Sequence, residues 1–465
     1  MPTGPFDRRT KRSRCTQCAT SHSKCSGHYP CTQCQRRRIC CGFPTLPSSA
    51  RGGIIALDRG KHLTAKTFTT KNAPQAPLPD MMGSYLYYFD IFIQRNNFTG
   101  REPSFLADVK SLMKVAHRPG EPGSPLLSAA LALGSMQMHN LSVDTKRHVS
   151  LRFALESYAQ SISGLRDAVS SISSHMDVLT RAGILWTTFF LGLFELMQDA
   201  SGQLWLRHMV YGTSQALIAS GPSACTSGST RTFFIQARTF EVCRSIIFNE
   251  STFLSNPDWL QLTGNLLGDS LTGEWSPQDA LLDLVVMCSN LRVRTAQFVE
   301  ALSAPPTVDN ITIAQQLAAE GFCLRDALES WKMESASSAA TEDEIALAKT
   351  FFAATSIYLS GNYDYDMQLW QSFKIPIPIL SLEDVTKHFD AIILFSRAAL
   401  KGSSLSPLLF LFPLRVAGAR AREIKQRQAV AEMLCRVKKD FVVAKAFLTE
   451  LEGLWGRCDD LERQV

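Results

Sequence analysis

Apolar side chains along residues 81–465 recur every three or four positions, the period that lines one face of an α-helix. Leu151, Leu155, Tyr158, Ile162, Leu165 and Val169 follow this spacing, and so do Leu284, Cys288, Leu291, Thr295, Phe298 and Leu302. No stretch of comparable length alternates apolar and polar residues with the period of two that a half-buried strand requires. Gly221-Pro222, Pro305-Pro306 and the run from Pro376 to Pro378 interrupt the pattern, because proline lacks the amide proton that a helix interior needs. The pattern predicts a large all-α helical domain over residues 81–465, an array of about ten or more helices.

Two segments are apolar enough to raise the question of a membrane. Pro122 to Val143 has no ionised residue, but Gly, Pro, Ser, His139 and Asn140 interrupt it. Ala182 to Phe194 is apolar but falls short of a bilayer core about 30 Å thick at a rise of about 1.5 Å per residue. Both predict buried core helices and no membrane partner. The N-terminal residues are basic with no apolar run behind them, so no secretory signal is expected.

The helical period is missing before residue 81. From Gly42 to Asp80 five prolines and four glycines are interspersed with Ser and Thr, which predicts a flexible linker over residues 46–80. Ile54, Ile55, Leu57 and Leu63 do not repeat at a and d positions, so no zipper is expected behind the N-terminal module. A homodimer would have to form through the helical domain.

Charge separates the same two regions. Residues 1–45 hold nine Lys or Arg against one acid, Asp7, a net of +8 in a chain whose total is +6. The basicity therefore belongs to the first 45 residues, a footprint suited to phosphate contact that is salt-dependent and largely blind to sequence. Arg8, Arg9, Lys11 and Arg12 in the basic tail 1–14 also read as a nuclear localisation run. Arg12 and Arg14 could equally bind backbone phosphates.

Seven of the thirteen cysteines lie between Cys15 and Cys41, and Cys-x2-Cys-x6-Cys occurs twice: Cys15, Cys18, Cys25, then Cys31, Cys34, Cys41. A Cys-x2-Cys pair brings two thiolates to one ion from a tight turn, and tetrahedral zinc accepts soft sulfur ligands well. On a helix a step of seven returns a side chain to within about 20° of its starting face and a step of six does not. That favours Cys41 over Cys40 as the sixth ligand and leaves Cys40 a spare thiol. Two separate zinc ions would need about eight ligands, so six cysteines serve two Zn2+ per chain only if two sulfurs bridge. A disulfide knot would need an oxidising compartment, for which the chain shows no route.

These residues resemble the fungal zinc binuclear cluster (Zn2Cys6) transcription factors, in Cys15-Thr-Gln-Cys18, Lys24-Cys25-Ser-Gly, Pro30-Cys31-Thr-Gln-Cys34 and Cys41. The resemblance covers about thirty residues within a DNA-binding domain placed at 15–45. It implies that Cys15 and Cys31 bridge the metals, that Cys18 and Cys25 complete one site, and that Cys34 and Cys41 complete the other. It also implies binding to double-stranded DNA in the nucleus, with the short helix after the second cysteine presented to a CGG triplet.

The base-reading stretch departs from that pattern. Ala19-Thr-Ser-His22-Ser-Lys24 has one permanent cation, Lys24, and His22 stands where a base-contacting lysine is common in the family. Lysine or arginine pairs well with the two acceptors of guanine, whereas a neutral imidazole offers one donor. Arg36, Arg37 and Arg38 are three adjacent guanidiniums on a helical turn, which cannot all face one groove. At least one is expected on phosphate, where contacts set register without specifying sequence, and at least one is expected to point to solvent.

The large domain is similar to the fungal-specific regulatory domain that accompanies such clusters, most clearly at Ser406-Pro-Leu-Leu-Phe-Leu-Phe-Pro413-Leu-Arg-Val-Ala417-Gly418. The same residues also describe a proline-interrupted buried helix. No phosphate loop, nucleophile elbow or His-Glu-x2-His motif occurs, so no enzyme is expected. His139, His175, His208 and His388 are scattered, and Cys225, Cys243, Cys288, Cys323, Cys435 and Cys458 lack ligand spacing and are expected as reduced thiols. Asn97-Phe-Thr99 is a chance glycosylation sequon. Thr341-Glu-Asp-Glu344 and Glu450 to Glu462 are candidate acidic surfaces for transcription machinery or co-regulators, or else solvated helix ends.

The expected function is sequence-specific DNA binding and regulation of RNA polymerase II transcription, activation being the commoner role in the family. Cys18-Ala-Thr-Ser is similar to clusters in regulators of secondary-metabolite pathways such as the aflatoxin regulator. The alternative is a pathway co-regulator acting through protein partners, its zinc cluster mainly a folding staple.

Overall fold

The computed structural model describes residues 17–18, 31–37, 39, 41, 79–99, 105–115, 124–142, 146–170, 178–203, 212–267, 277–302, 308–335 and 340–462. The chain divides into two units, Met1–Pro77 and Leu78–Val465. In the first, the described helix is α1 (Thr32–Arg37). In the second, sixteen α-helices follow with no strand among the described residues. They are α2 (Pro79–Arg95), α3 (Phe105–Val115), α4 (Pro125–Leu141), α5 (Lys146–Ser170), α6 (Val178–Gln198), α7 (Gln215–Ser220), α8 (Gly228–Phe248) and α9 (Pro257–Leu267). Then come α10 (Pro277–Ala301), α11 (Val308–Ser335), α12 (Glu342–Asp364), α13 (Met367–Ser372), α14 (Leu382–Gly402), α15 (Leu411–Arg420), α16 (Ile424–Val437) and α17 (Ala444–Glu462). The expected helical array is present.

Helix α6 runs through the middle of this unit's N-terminal half. It is the one described helix long and apolar enough to cross a bilayer, yet most of it is buried by its neighbours. Trp186 stacks on Phe105 of α3 at 4.9 Å and meets Phe233 of α8 edge-on at 5.1 Å. Phe190 meets Phe89 of α2 at 5.2 Å, and Phe189 meets Phe240 of α8 at the same distance. A helix that buries rings on every side has no polar face, which explains the uniform apolarity of Ala182 to Phe194.

The α4–α5 pair corrects the expected apolar face of α5. Leu155 is 44% exposed, and the residues buried instead are Ser150, Ala154, Ser157 and Ser161, each one position before the expected stripe. The period is kept and the phase is rotated by one residue. Small side chains let the two helices approach closely, and the larger ones flank the contact. Ser161 donates to the Pro125 carbonyl at 2.8 Å, and a Cβ on Gly164 would lie 2.9 Å from the Pro125 ring. In α10 no rotation occurs: Cys288, Leu291, Thr295 and Phe298 are buried, with Leu284 and Leu302 half-buried beside them.

Two of the expected helix breaks, Gly221-Pro222 and Pro376 to Pro378, fall on described residues, and Pro305-Pro306 lies outside them. Gly221 adopts φ 74° before a 3-10 turn at Pro222–Cys225, a left-handed conformation suited to glycine. The Pro376 to Pro378 stretch is extended, and Arg325 of α11 donates to the carbonyls of Pro378 and Ile379, the latter at 2.9 Å. Residues 407–410 form a 3-10 turn that leads into α15, where Pro413 occupies the first helical turn and is tolerated because the helix requires no amide donor at that position. A Cβ on Gly418 would collide with the side chain of Leu451 of α17, so Ala417-Gly418 is where α15 and α17 touch. Arg415 makes a two-pronged ion pair with Glu450 across the same contact, at 3.1 and 2.8 Å.

Candidate metal centre

Three of the expected metal ligands converge. Cys18, Cys31 and Cys34 are buried, and their sulfur atoms all lie within 4.8 Å of one another. Cys18 Sγ and Cys31 Sγ are 3.6 Å apart. Helix α1 is short, and its residue order does the positioning: Cys31 immediately precedes it and Cys34 faces inward from its first turn. Cys41 packs against the three, its sulfur accepting the Cys31 amide at 3.3 Å. The Cys34 amide donates to Cys31 Sγ, also at 3.3 Å. These amides favour negative charge on the sulfurs they face, since a hydrogen bond to the charged form stabilises it.

The donor set fits zinc. Soft sulfurs gathered at this separation, buried from water and receiving amide donors, have the chemistry of thiolate ligands. Their amide partners escaped sequence reasoning, because a backbone N–H carries no residue signature.

Cys15, Cys25 and Cys40 lie outside the described residues, as do His22, Lys24, Arg38, Arg12, Arg14, Arg8, Arg9 and Lys11. Arg36 and Arg37 are described: both are exposed in the last turn of α1. Consecutive positions differ by about 100° around the axis, so the two guanidiniums leave the helix in different directions.

The remaining candidates have structural work. Burial pushes the Cys225 thiol up to about 11 and the Cys243 and Cys288 thiols up to about 12, which keeps them protonated and inert. Cys323 and Cys435 are exposed free thiols and Cys458 is half-buried. His139 Nδ1 bonds to the Arg147 carbonyl at 2.9 Å, and His388 packs edge-on against Phe352; His175 and His208 are outside the described residues. Asn97 is 5% exposed, its backbone amide donating to Ser404 and its carbonyl accepting from Ser406, so the sequon is folded away.

Some carboxylates of both acidic segments are engaged by the fold, while Glu342 and Glu452 are exposed. Thr341 and Glu344 form a capping box at the start of α12: the Glu344 amide donates to Thr341 Oγ1 at 3.1 Å, and the Thr341 amide donates to Glu344 Oε2 at 3.1 Å. In α17, Glu450 pairs with Arg415 and Asp459 with Arg427.

No curated protein and no solved structure matches the chain. One family model does, the fungal specific transcription factor domain, over residues 84–464. That span takes in all but a few residues of the helical unit, including the Ser406 to Gly418 segment that packs α15 on α17, and the chain therefore belongs to the fungal specific transcription factor domain family, a non-enzymatic class of transcription regulators.

Proposed function

We propose that the chain is a nuclear zinc-cluster transcription factor that binds double-stranded DNA through its N-terminal module and regulates RNA polymerase II transcription under control of its helical domain. The observation that carries this reading is the convergence of Cys18, Cys31 and Cys34 beside Cys41, in a chain whose helical unit belongs to a transcription-regulator family. Cys15, Cys18, Cys25, Cys31, Cys34 and Cys41 would hold two Zn2+, which supply most of the order in so small a unit. Bound zinc supplies no reaction here; it fixes the backbone that presents the basic side chains.

His22 and Lys24 are the residues assigned to the base edges, and Arg12, Arg14 and at least one of Arg36, Arg37 and Arg38 to phosphate. Arg8, Arg9, Lys11 and Arg12 serve nuclear entry. Partners beyond DNA are transcription machinery or co-regulators, and any homodimer forms through the helical domain. Control of a secondary-metabolite pathway rests on Cys18-Ala-Thr-Ser alone.

A second reading, the cluster as a folding staple for a co-regulator that acts through protein partners, is favoured by one feature: residues 19–23 contain no permanent cation. Selection of duplexes from a random pool by the full-length, zinc-loaded protein separates the two. Enrichment of a defined motif, with affinity falling as salt rises, supports DNA recognition. Recovery of unenriched sequence at every salt concentration supports the staple and defeats the first reading.

A further inference from the structure

A cavity of about 770 Å³ opens between α11, α12 and α14, with Pro277 and Leu380 also in its lining. That volume suits a small organic molecule, for which pockets of about 300–1,000 Å³ are usual. Trp331 and Phe352 stack in the wall with centroids 5.4 Å apart and planes 22° from parallel. The Trp331 indole N–H is already satisfied by the Pro277 carbonyl at 2.9 Å, so this wall presents aromatic surface rather than a donor.

Three lysines line the cavity, and their partners differ. Lys332 pairs with Glu329 at 2.9 Å; Lys387 pairs with Glu383 at 2.8 Å and Asp384 at 3.3 Å. Lys349 makes no ion pair among the described residues and rests over the Phe395 ring, 5.5 Å from its centroid. His388 adds no charge: burial first, then Lys332 and Arg325, hold its ring below the ordinary value of 6.5, with Glu329 and Asp384 opposing. The lining therefore has one uncompensated cation beside an aromatic wall.

We propose that this cavity binds an aromatic small molecule carrying a single anionic group, its ring against Trp331 and Phe352 and its anion on Lys349. An uncharged ligand would leave Lys349 unused. A polyanion would meet the carboxylates of Glu329 and Asp384, which share the lining. A cation would find both acids already paired. The site goes beyond DNA recognition and does not depend on the cysteine module.

The test uses the full-length protein and two fluorescent probes: 1-anilinonaphthalene-8-sulfonate, an aromatic monoanion, and N-phenyl-1-naphthylamine, its uncharged counterpart. Saturable binding of the sulfonate is expected, weakened about tenfold in Lys349→Gln, the loss expected for one charge-assisted hydrogen bond. The uncharged probe should bind wild type and Lys349→Gln alike. Ala391→Trp, which fills the cavity, should abolish both. Lys349 is exposed, so its replacement leaves the fold intact and the paired titrations decide the matter even if Ala391→Trp does not fold. Absence of saturable sulfonate binding, or equal affinity for wild type and Lys349→Gln, overturns the proposal.

Discussion

Ser406 donates its hydroxyl to the side-chain carbonyl of Asn96 at 2.9 Å, a buried bond between residues 310 positions apart. Around it the Ser406 amide donates to the Asn97 carbonyl at 2.8 Å and the Asn97 amide to the Ser404 carbonyl at 3.0 Å. Asn96 also donates to the Phe92 carbonyl at 2.9 Å, which ties the knot to the end of α2. Removing one partner strands a buried polar group at a cost of about 1–3 kcal/mol. Asn96→Ala and Ser406→Ala should therefore each destabilise, and the double variant should lose less than their sum. Urea unfolding of the four proteins measures the coupling; strict additivity would show that the two side chains do not depend on each other.

Gly134 and Gly83 should respond in opposite ways to alanine. A Cβ on Gly134 would collide with the Tyr85 carbonyl oxygen, a backbone atom that cannot swing aside, whereas a Cβ on Gly83 meets nothing within 4 Å. Gly134→Ala should lower stability by about 1–3 kcal/mol through overpacking of α2 on α4. Gly83→Ala should be neutral or raise it by up to about 1 kcal/mol, because alanine is the better helix former. Thermal melts of both variants check the contrast, and equal melting temperatures would contradict the close approach.

How much was legible in the sequence depends on how local each signal is. The helical period and the proline breaks are local, and Cys288, Leu291, Thr295 and Phe298 face the core as their spacing predicts. The phase of α5 was not legible, because its buried face is Ser150, Ala154, Ser157 and Ser161. Small polar residues carry little hydropathy, and they become buried only against the particular helix that meets them. The Asn96–Ser406 bond left no trace for the same reason: each residue is ordinary until the other is placed. At the metal centre the cysteine spacing is a strong local signal, while the amides of Cys31 and Cys34 that face the sulfurs are visible only in the fold.

His388 should give the protein a measurable acid sensitivity. Its ring is held below 6.5 when folded, chiefly by burial, so the unfolded chain takes up the proton first as pH falls. The sign follows from linkage: stability is fully present above 6.5, declines as pH drops through that value, and levels off below the folded-state value. Urea unfolding from about pH 8 to about pH 5 should show this decline, and His388→Asn should remove part of it. Parallel pH profiles for the two proteins would remove His388 as a source.

Arg36 and Arg37 should act on DNA through charge and not through base identity. Both are exposed at the end of α1, so Arg36→Gln with Arg37→Gln should leave the cysteine cluster and its zinc content unchanged. Each guanidinium–phosphate pairing removed should flatten the slope of log affinity against log salt by about 0.9. A fall of about one to two units in that slope, with the preferred motif unaltered, is the expected result. An altered motif would instead assign one of these side chains to a base edge.

Cys40 and Cys41 provide the sharpest test of the metal centre, since they are neighbours with opposite expected roles. Cys41 packs against the buried sulfurs and accepts the Cys31 amide at 3.3 Å, a contact that a serine oxygen would make with a shorter reach and no comparable affinity for zinc. Full-length protein should carry about two zinc ions by elemental analysis, and Cys40→Ser should keep them. Cys41→Ser should lose at least one, with DNA affinity falling alongside, because metal binding and folding of so small a unit are one equilibrium. Chelation should reproduce the loss, and restored zinc should reverse it. A single zinc per wild-type chain would refute bridging sulfurs; loss of metal from Cys40→Ser with retention in Cys41→Ser would exchange the two assignments.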